Sequence, residues 1–113
     1  MDWKKLENLA QLSEILSESY VKPQLVFKHS TRCGVSLHVL DTLESEGEKL
    51  NQSLDTHYLD LLSYRNISDA IASDWGVFHQ SPQVIVIENS KVIHHATHYT
   101  ISAAKILQSL SVH

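Results

Sequence analysis

Cysteine, proline and glycine are all scarce in this chain, which has one, two and three of them in 113 residues, and each scarcity excludes something. A single cysteine forbids an internal disulfide and any multi-cysteine metal site, so disulfide chemistry has to involve a second molecule. No apolar run approaches membrane-spanning length. The opening "MDWKKLENLAQLSEIL" is amphipathic and acidic enough to speak against a secretory signal, and a cytoplasmic protein is expected. Lys and Arg are outnumbered nine to thirteen by Asp and Glu; the net charge of −4 gives no concentrated basic face for nucleic acid or anionic membrane. Internal repeats, linkers and low-complexity segments are also missing. With 42% hydrophobic residues, the length suits one domain spanning residues 1–113.

What is present is a clear alternation of periods. Trp3, Leu6, Leu9, Leu12 and Leu16 recur every three or four residues and predict an amphipathic helix over residues 3–18, with Pro23 at its exit. "QLVFKH" reads as a buried strand. Leu37, Leu40 and Leu43 predict a helix that starts near Cys33 and stops at Gly47. "HYLDLL", residues 57–62, is a second strand, and a helix between two strands implies a right-handed parallel crossover. Asn66 is expected to cap a short helix, "ISDAIASDW", ending at Gly76. "QVIVIE" and "KVIHHA" flank "NS" and predict a hairpin; Thr100 is expected to cap a last helix with Ile101, Ala104, Ile106, Leu107 and Leu110 as its apolar positions. A parallel crossover followed by a hairpin and a closing helix is the thioredoxin-like order. The expected fold is an α/β three-layer sandwich of that type, with an N-terminal helix and a central mixed sheet of about four strands.

The lone thiol lies in "KHSTRCGVS", where the first predicted strand gives way to a helix. At a helix start, unpaired backbone N–H groups and the positive end of the helix dipole favour thiolate over thiol, which makes Cys33 a candidate nucleophile. Arg32 adds a cationic neighbour. Ser36 stands where the second thiol of a C-x-x-C motif would be, and its hydroxyl is expected to point back at the sulfur. Such a site can begin thiol–disulfide exchange but cannot resolve the mixed disulfide internally. Pro82, directly before a strand, marks a loop that in thioredoxin-like folds carries a cis proline facing the reactive cysteine. The histidines of "VIHHATHY" do not make a metal site, because His94 and His95 are adjacent on a strand and point to opposite faces. His57 and His113 have no visible partner, and nothing in the sequence pairs His29 with Cys33.

"KHSTRCGVS", "YLDLLSYRNISDAIASDWGVFHQSPQVIVIE" and "KVIHHATHYTI" resemble the monothiol bacilliredoxins, thioredoxin-like proteins of the bacillithiol system, over nearly the whole chain. The resemblance implies a monothiol thiol-disulfide oxidoreductase that removes bacillithiol from S-bacillithiolated proteins. Cys33 would be the attacking residue and bacillithiol a co-substrate, with no bound cofactor and no metal; a low-molecular-weight thiol would regenerate the protein. Thr31, Arg32 and Ser36 match the active-site motif of the family, and Ser81 and Pro82 match its proline loop. Arg32 is suited to the malate carboxylates of bacillithiol. Gly34, also in the substrate-binding motif, departs from the proline usual there. Two other functions fit a solitary thiol: an iron–sulfur carrier of the monothiol glutaredoxin type, although "CGFS" is missing, and a thioredoxin-like binding module without turnover.

Overall fold

A computed structural model describes residues 1–110. Their order is β1 (Lys4–Lys5), α1 (Ala10–Glu18), β2 (Gln24–His29), α2 (Gly34–Ser45), α3 (Gly47–Ser53), β3 (Asp55–Asp60), α4 (Arg65–Trp75), β4 (Gln83–Glu88), β5 (Lys91–Thr97) and α5 (Ala103–Gln108), with a 3-10 turn at His98–Thr100 before the last helix. One sheet runs β1-β3-β2-β4-β5, parallel among the first three strands and antiparallel from β2 through β4 to β5. Five strands are present where about four were expected. The addition is β1, whose two residues pair with His57 and Tyr58.

β1 also explains why the first helix is shorter than its leucine spacing suggests. Trp3 packs on one face of the sheet and Leu6 on the other, as strand alternation requires, and the Leu6 N–H donates to the Tyr58 carbonyl at 2.9 Å. Leu9 is half exposed. Helix α1 then starts without a side-chain cap at Leu9; instead the Gln11 amide oxygen accepts from the N–H groups of Glu7 and Asn8 at 2.6 and 2.9 Å. A three-four spacing of apolar residues is satisfied here by a strand, a turn and then a helix.

Two apolar layers cover the sheet. Leu25, Phe27, Val84 and Val86 face α2, α3 and α5 through Val39, Leu43, Leu50 and Ile106. Val26, Leu59, Ile85 and Ile87 face α1 and α4 through Leu12, Ile15, Ile67 and Ile71. This is the thioredoxin-like α/β sandwich. Among the described residues no helix is long and apolar enough to cross a membrane.

Several expected boundaries move. Gly47 does not end α2 but opens α3, after a break at Glu46; a side chain there would meet Met1 Cγ and Sδ at 3.2 Å, so its smallness serves close approach. Gly76 does end α4, in the left-handed conformation with φ 68°. Helix α4 begins one residue before Asn66, and no side chain caps it at Tyr64. Asp60 orders the approach, accepting from the Leu62 N–H at 3.1 Å and the Ser63 hydroxyl at 3.0 Å. Strand β3 lies two residues earlier than "HYLDLL", because pairing with β2 begins at Asp55. The hairpin turn is Asn89–Ser90, both at positive φ (53° and 63°), as a primed two-residue turn needs. Ser102, not Thr100, caps α5, by accepting from the Lys105 N–H at 3.2 Å. Thr100 instead closes a capping box with Thr97, which brings Ala103 rather than Ala104 to the core. His113 lies outside the described residues.

His57 of β3 is buried, 2.7 Å from the Gln24 side-chain oxygen, and burial with the nearby Lys4 charge holds its imidazole down to about 4. The folded protein therefore keeps this ring neutral where the unfolded chain, with an ordinary value of 6.5, takes up a proton. Stability should fall as pH drops from 6.5 towards 4, by about 1.4 kcal/mol per pH unit for each such proton. Urea unfolding at fixed temperature across that range measures the slope, and a flat profile would contradict the buried neutral ring.

Candidate thiol redox site

The candidate site forms where β2 ends. Strand pairing carries the chain as far as His29, whose carbonyl still accepts from the Leu61 N–H at 3.0 Å. Ser30, Thr31 and Arg32 then turn the chain, closed by the Cys33 N–H donating to the Ser30 carbonyl at 3.1 Å. Cys33 is the N-cap of α2 in an extended conformation, and its carbonyl accepts the first helical hydrogen bond, from Leu37, at 3.0 Å. The thiol is half-buried and free. It thus stands at the start of a twelve-residue helix whose first N–H groups have no side-chain cap.

Ser36, one turn further, is fully buried. The sequence expectation aimed its hydroxyl at the Cys33 sulfur. Its hydrogen bonds instead go elsewhere: the oxygen lies 2.7 Å from His29 Nδ1 and accepts from the Ser30 N–H at 3.1 Å. The physical reason is His29, a buried ring whose nitrogen would otherwise be unsatisfied. Burial pushes its imidazole below the ordinary range against the opposing pull of Asp60, and the neutral ring shares this hydrogen bond with the Ser36 hydroxyl. His29 is stacked on Phe27 (centroids 5.5 Å apart, planes at 29°) and tilted against Tyr58 at 5.3 Å. No spacing rule identified this histidine. Its parity with Leu25 and Phe27 is the available signal, since all three must face α2.

The second half of the site comes from β4. Lys28 pairs with Gln83, so Pro82 falls opposite His29, at the end of the sheet from which Cys33 departs. The Ser81–Pro82 peptide bond is cis. The Pro82 carbonyl accepts from the His98 N–H at 3.0 Å, which ties the loop to the end of β5. Ser81 Oγ is buried and has no hydrogen-bond partner among the described residues. The structure thus brings Thr31, Arg32, Cys33, Gly34, Ser81 and Pro82 to one end of the sheet, with Ser36 held beneath by His29. Thr31, Arg32 and Gly34 are exposed, and Arg32 makes no ion pair among the described residues.

A cleft of about 530 Å³ opens beside this end at the β1 edge, lined by Trp3, Lys5, Leu6, Glu7, Tyr58, Asp60, Ser63 and Tyr64. The rings of Tyr58 and His29 stand between it and Ser36. Among the described residues no group of histidines, cysteines and carboxylates could hold a metal ion, and His94 and His95 pair with Val86 and Ile85 on opposite faces of β5.

The sequence profile of the monothiol bacilliredoxin BrxC family matches residues 4–106. Among solved structures, one with a thioredoxin fold, itself only proposed to be an oxidoreductase, shares 28% identity at a TM-score of 0.81, covering 93% of this chain and 90% of its own. Thioredoxin of Malassezia sympodialis superposes with a TM-score of 0.74 at 15% identity, over 96% of this chain and 92% of that one. Thioredoxin of Fasciola hepatica gives 0.71 at 14%, over 97% and 98%. These last two establish the fold alone.

Gly34 tests the local geometry of the helix start. It is the first helical residue, a Cβ on it would meet nothing within 4 Å, and Cys33 before it has φ −101° and ψ 122°, the conformation a following proline requires. Gly34→Pro should therefore stabilise the fold by about 0.5–1 kcal/mol, chiefly by restricting the unfolded chain. The measurement is the urea midpoint with the slope unchanged; destabilisation would mean that the Gly34 N–H or φ has a structural use.

Proposed function

Starting from the fact that the chain belongs to the monothiol bacilliredoxin family, we propose that this thiol oxidoreductase removes bacillithiol from S-bacillithiolated proteins. The Cys33 thiolate attacks the bacillithiol sulfur of the protein mixed disulfide. That S–S bond breaks, the protein sulfur leaves as thiolate and takes a proton from solvent, and a Cys33–bacillithiol disulfide forms. A second low-molecular-weight thiol, bacillithiol itself, then attacks this disulfide. It leaves as the oxidised dimer, having supplied the two electrons that reduced the substrate, and Cys33 returns to the thiolate. The reducing cytoplasm is the compartment that supplies such a thiol.

The observation that carries this reading is the pairing of one thiol, at the N-cap of α2, with a serine rather than a cysteine one turn on. No internal sulfur competes for the mixed disulfide, so the adduct waits for an external thiol. The unpaired Arg32 guanidinium suits the malate carboxylates of bacillithiol by bidentate geometry. Thr31 and Gly34 border the thiol, and the Ser81–Pro82 loop lies where the substrate chain would pass. The unpartnered Ser81 Oγ is a further polar contact for it.

Incubation of the reduced protein with oxidised bacillithiol should add the mass of one bacillithiol to Cys33. An unmodified thiol would reject the oxidoreductase role and favour a binding module. Ser36→Cys should release bacillithiol in a single turnover without added thiol, by closing a disulfide to Cys33. Arg32→Ala should lower the affinity for the bacillithiol adduct by about tenfold, the size of one charge-assisted contact, measured from the KM of de-bacillithiolation with kcat little changed.

A further inference from the structure

The middle strand contains a lysine with no exposed surface. Lys28 is 0% exposed in β2, between Leu59 of β3 and Gln83 of β4. It points to the side of Val26, towards α1 and α4, away from Phe27 and His29. Lysines are almost never buried this completely unless paired with a charge, yet among the described residues Lys28 makes no ion pair. Its Nζ lies 3.4 Å from His79 Nδ1, and the same nitrogen lies 3.1 Å from Ser68 Oγ of α4. Gln83, its register partner on the same face, donates from Nε2 to the Phe78 carbonyl at 3.0 Å, while its buried Oε1 has no partner among the described residues.

These contacts converge on one stretch of chain. Residues 76–82 leave α4 at the left-handed Gly76, pass Phe78 and His79, and end at the cis Ser81–Pro82 bond. Lys28 and Gln83 are the polar floor beneath it. We propose that Lys28 is a positioning residue for the Ser81–Pro82 loop, its buried amine setting how readily the segment 76–82 lifts from the sheet. This bears on catalysis only through the function proposed above, but the lifting is measurable without any thiol substrate.

The direction follows from the groups that face the amine. Burial lowers Lys28 to about 8, with Asp69 of α4 partly opposing. His79 is held below the ordinary imidazole range by burial, then by Lys28 and Arg65, against Asp69, so it stays neutral above pH 7. On the same face β3 brings His57 and Asp55, further along the sheet opposite Val26 and Gln24, and β4 brings the uncharged Gln83. When the segment lifts and water reaches the amine, its affinity for the proton returns towards the ordinary value of 10.5. The lifted state then binds the proton more tightly, so acid favours lifting and base favours docking.

The experiment is hydrogen exchange of the backbone amides at residues 77–81, corrected for intrinsic rates, from pH 7 to pH 9.5. The protein is used as Cys33→Ser to remove thiol ionisation, with and without Lys28→Met. With Lys28 present, protection should rise by up to about thirtyfold across that range, while amides of the Asn89–Ser90 turn show no such trend. Lys28→Met should abolish the trend and leave the segment better protected at pH 7. A flat profile with Lys28 in place, or the same trend with methionine, would overturn the proposal. Should the methionine variant fail to fold, the comparison of the two segments in the lysine protein still decides. Loss of the bacillithiol reading would leave these amides unaffected, so the two failures are distinguishable.

Discussion

The register of β2 governs everything at the Cys33 end of the molecule. Its parallel pairing with β3 sets where the strand stops, and its antiparallel pairing with β4 brings the beginning of that strand beside the same end. The thiol and the proline loop therefore come to one end of the sheet, although positions 33 and 82 are 49 apart in the sequence. A slip of one residue would turn Phe27 and His29 towards α4 and drive the Lys28 amine into the layer beneath α2. Six consecutive buried positions in each of β2 and β4 make such a slip costly on both faces at once.

Two titratable residues close β2, and alternation sends them to opposite layers. His29 goes to the α2 side, where it takes up the hydroxyl of the serine that replaces a second thiol. Lys28 goes to the α4 side, under the segment leading to Pro82. Burial lowers the proton affinity of both, which leaves the His29 ring neutral and Lys28, at about 8, still mostly protonated at pH 7. The permanent positive charge of Arg32 is on the solvent side. Charge available to an incoming anion and charge hidden in the sheet are thus separated by a single turn of chain.

Much of this was readable from the residues. The β2–α2 junction, the β4–β5 hairpin and the end of α4 follow from period and turn chemistry, which act locally, and so does the place of Cys33 at a helix start. The motif at Thr31–Ser36 and the loop at Ser81–Pro82 could also be matched by resemblance. What escaped depends on partners distant in sequence. β1 is a strand only because His57 and Tyr58 pair with it, Gly47 is small only because Met1 lies on it, and the Ser36 hydroxyl bonds His29 because that ring is buried seven residues earlier. A propensity summed along the chain contains none of these contacts. Lys28 illustrates the same point, since the run reads as a buried strand without showing which distant groups its amine would meet.

The two residues of β1 have a consequence for association between molecules. β3 would otherwise present an outer row of unpaired backbone groups, the template on which another strand can add. Residues 1–6 run along that row, tied by the Asp2 N–H to Asn51 Oδ1 at 3.1 Å and by the Thr56 hydroxyl to the Asp2 carbonyl at 3.3 Å. The covering strand is too short to be extended in turn, and both of its side chains are exposed lysines. An incoming strand would find two like charges and almost no ladder, so this margin of the sheet resists aggregation.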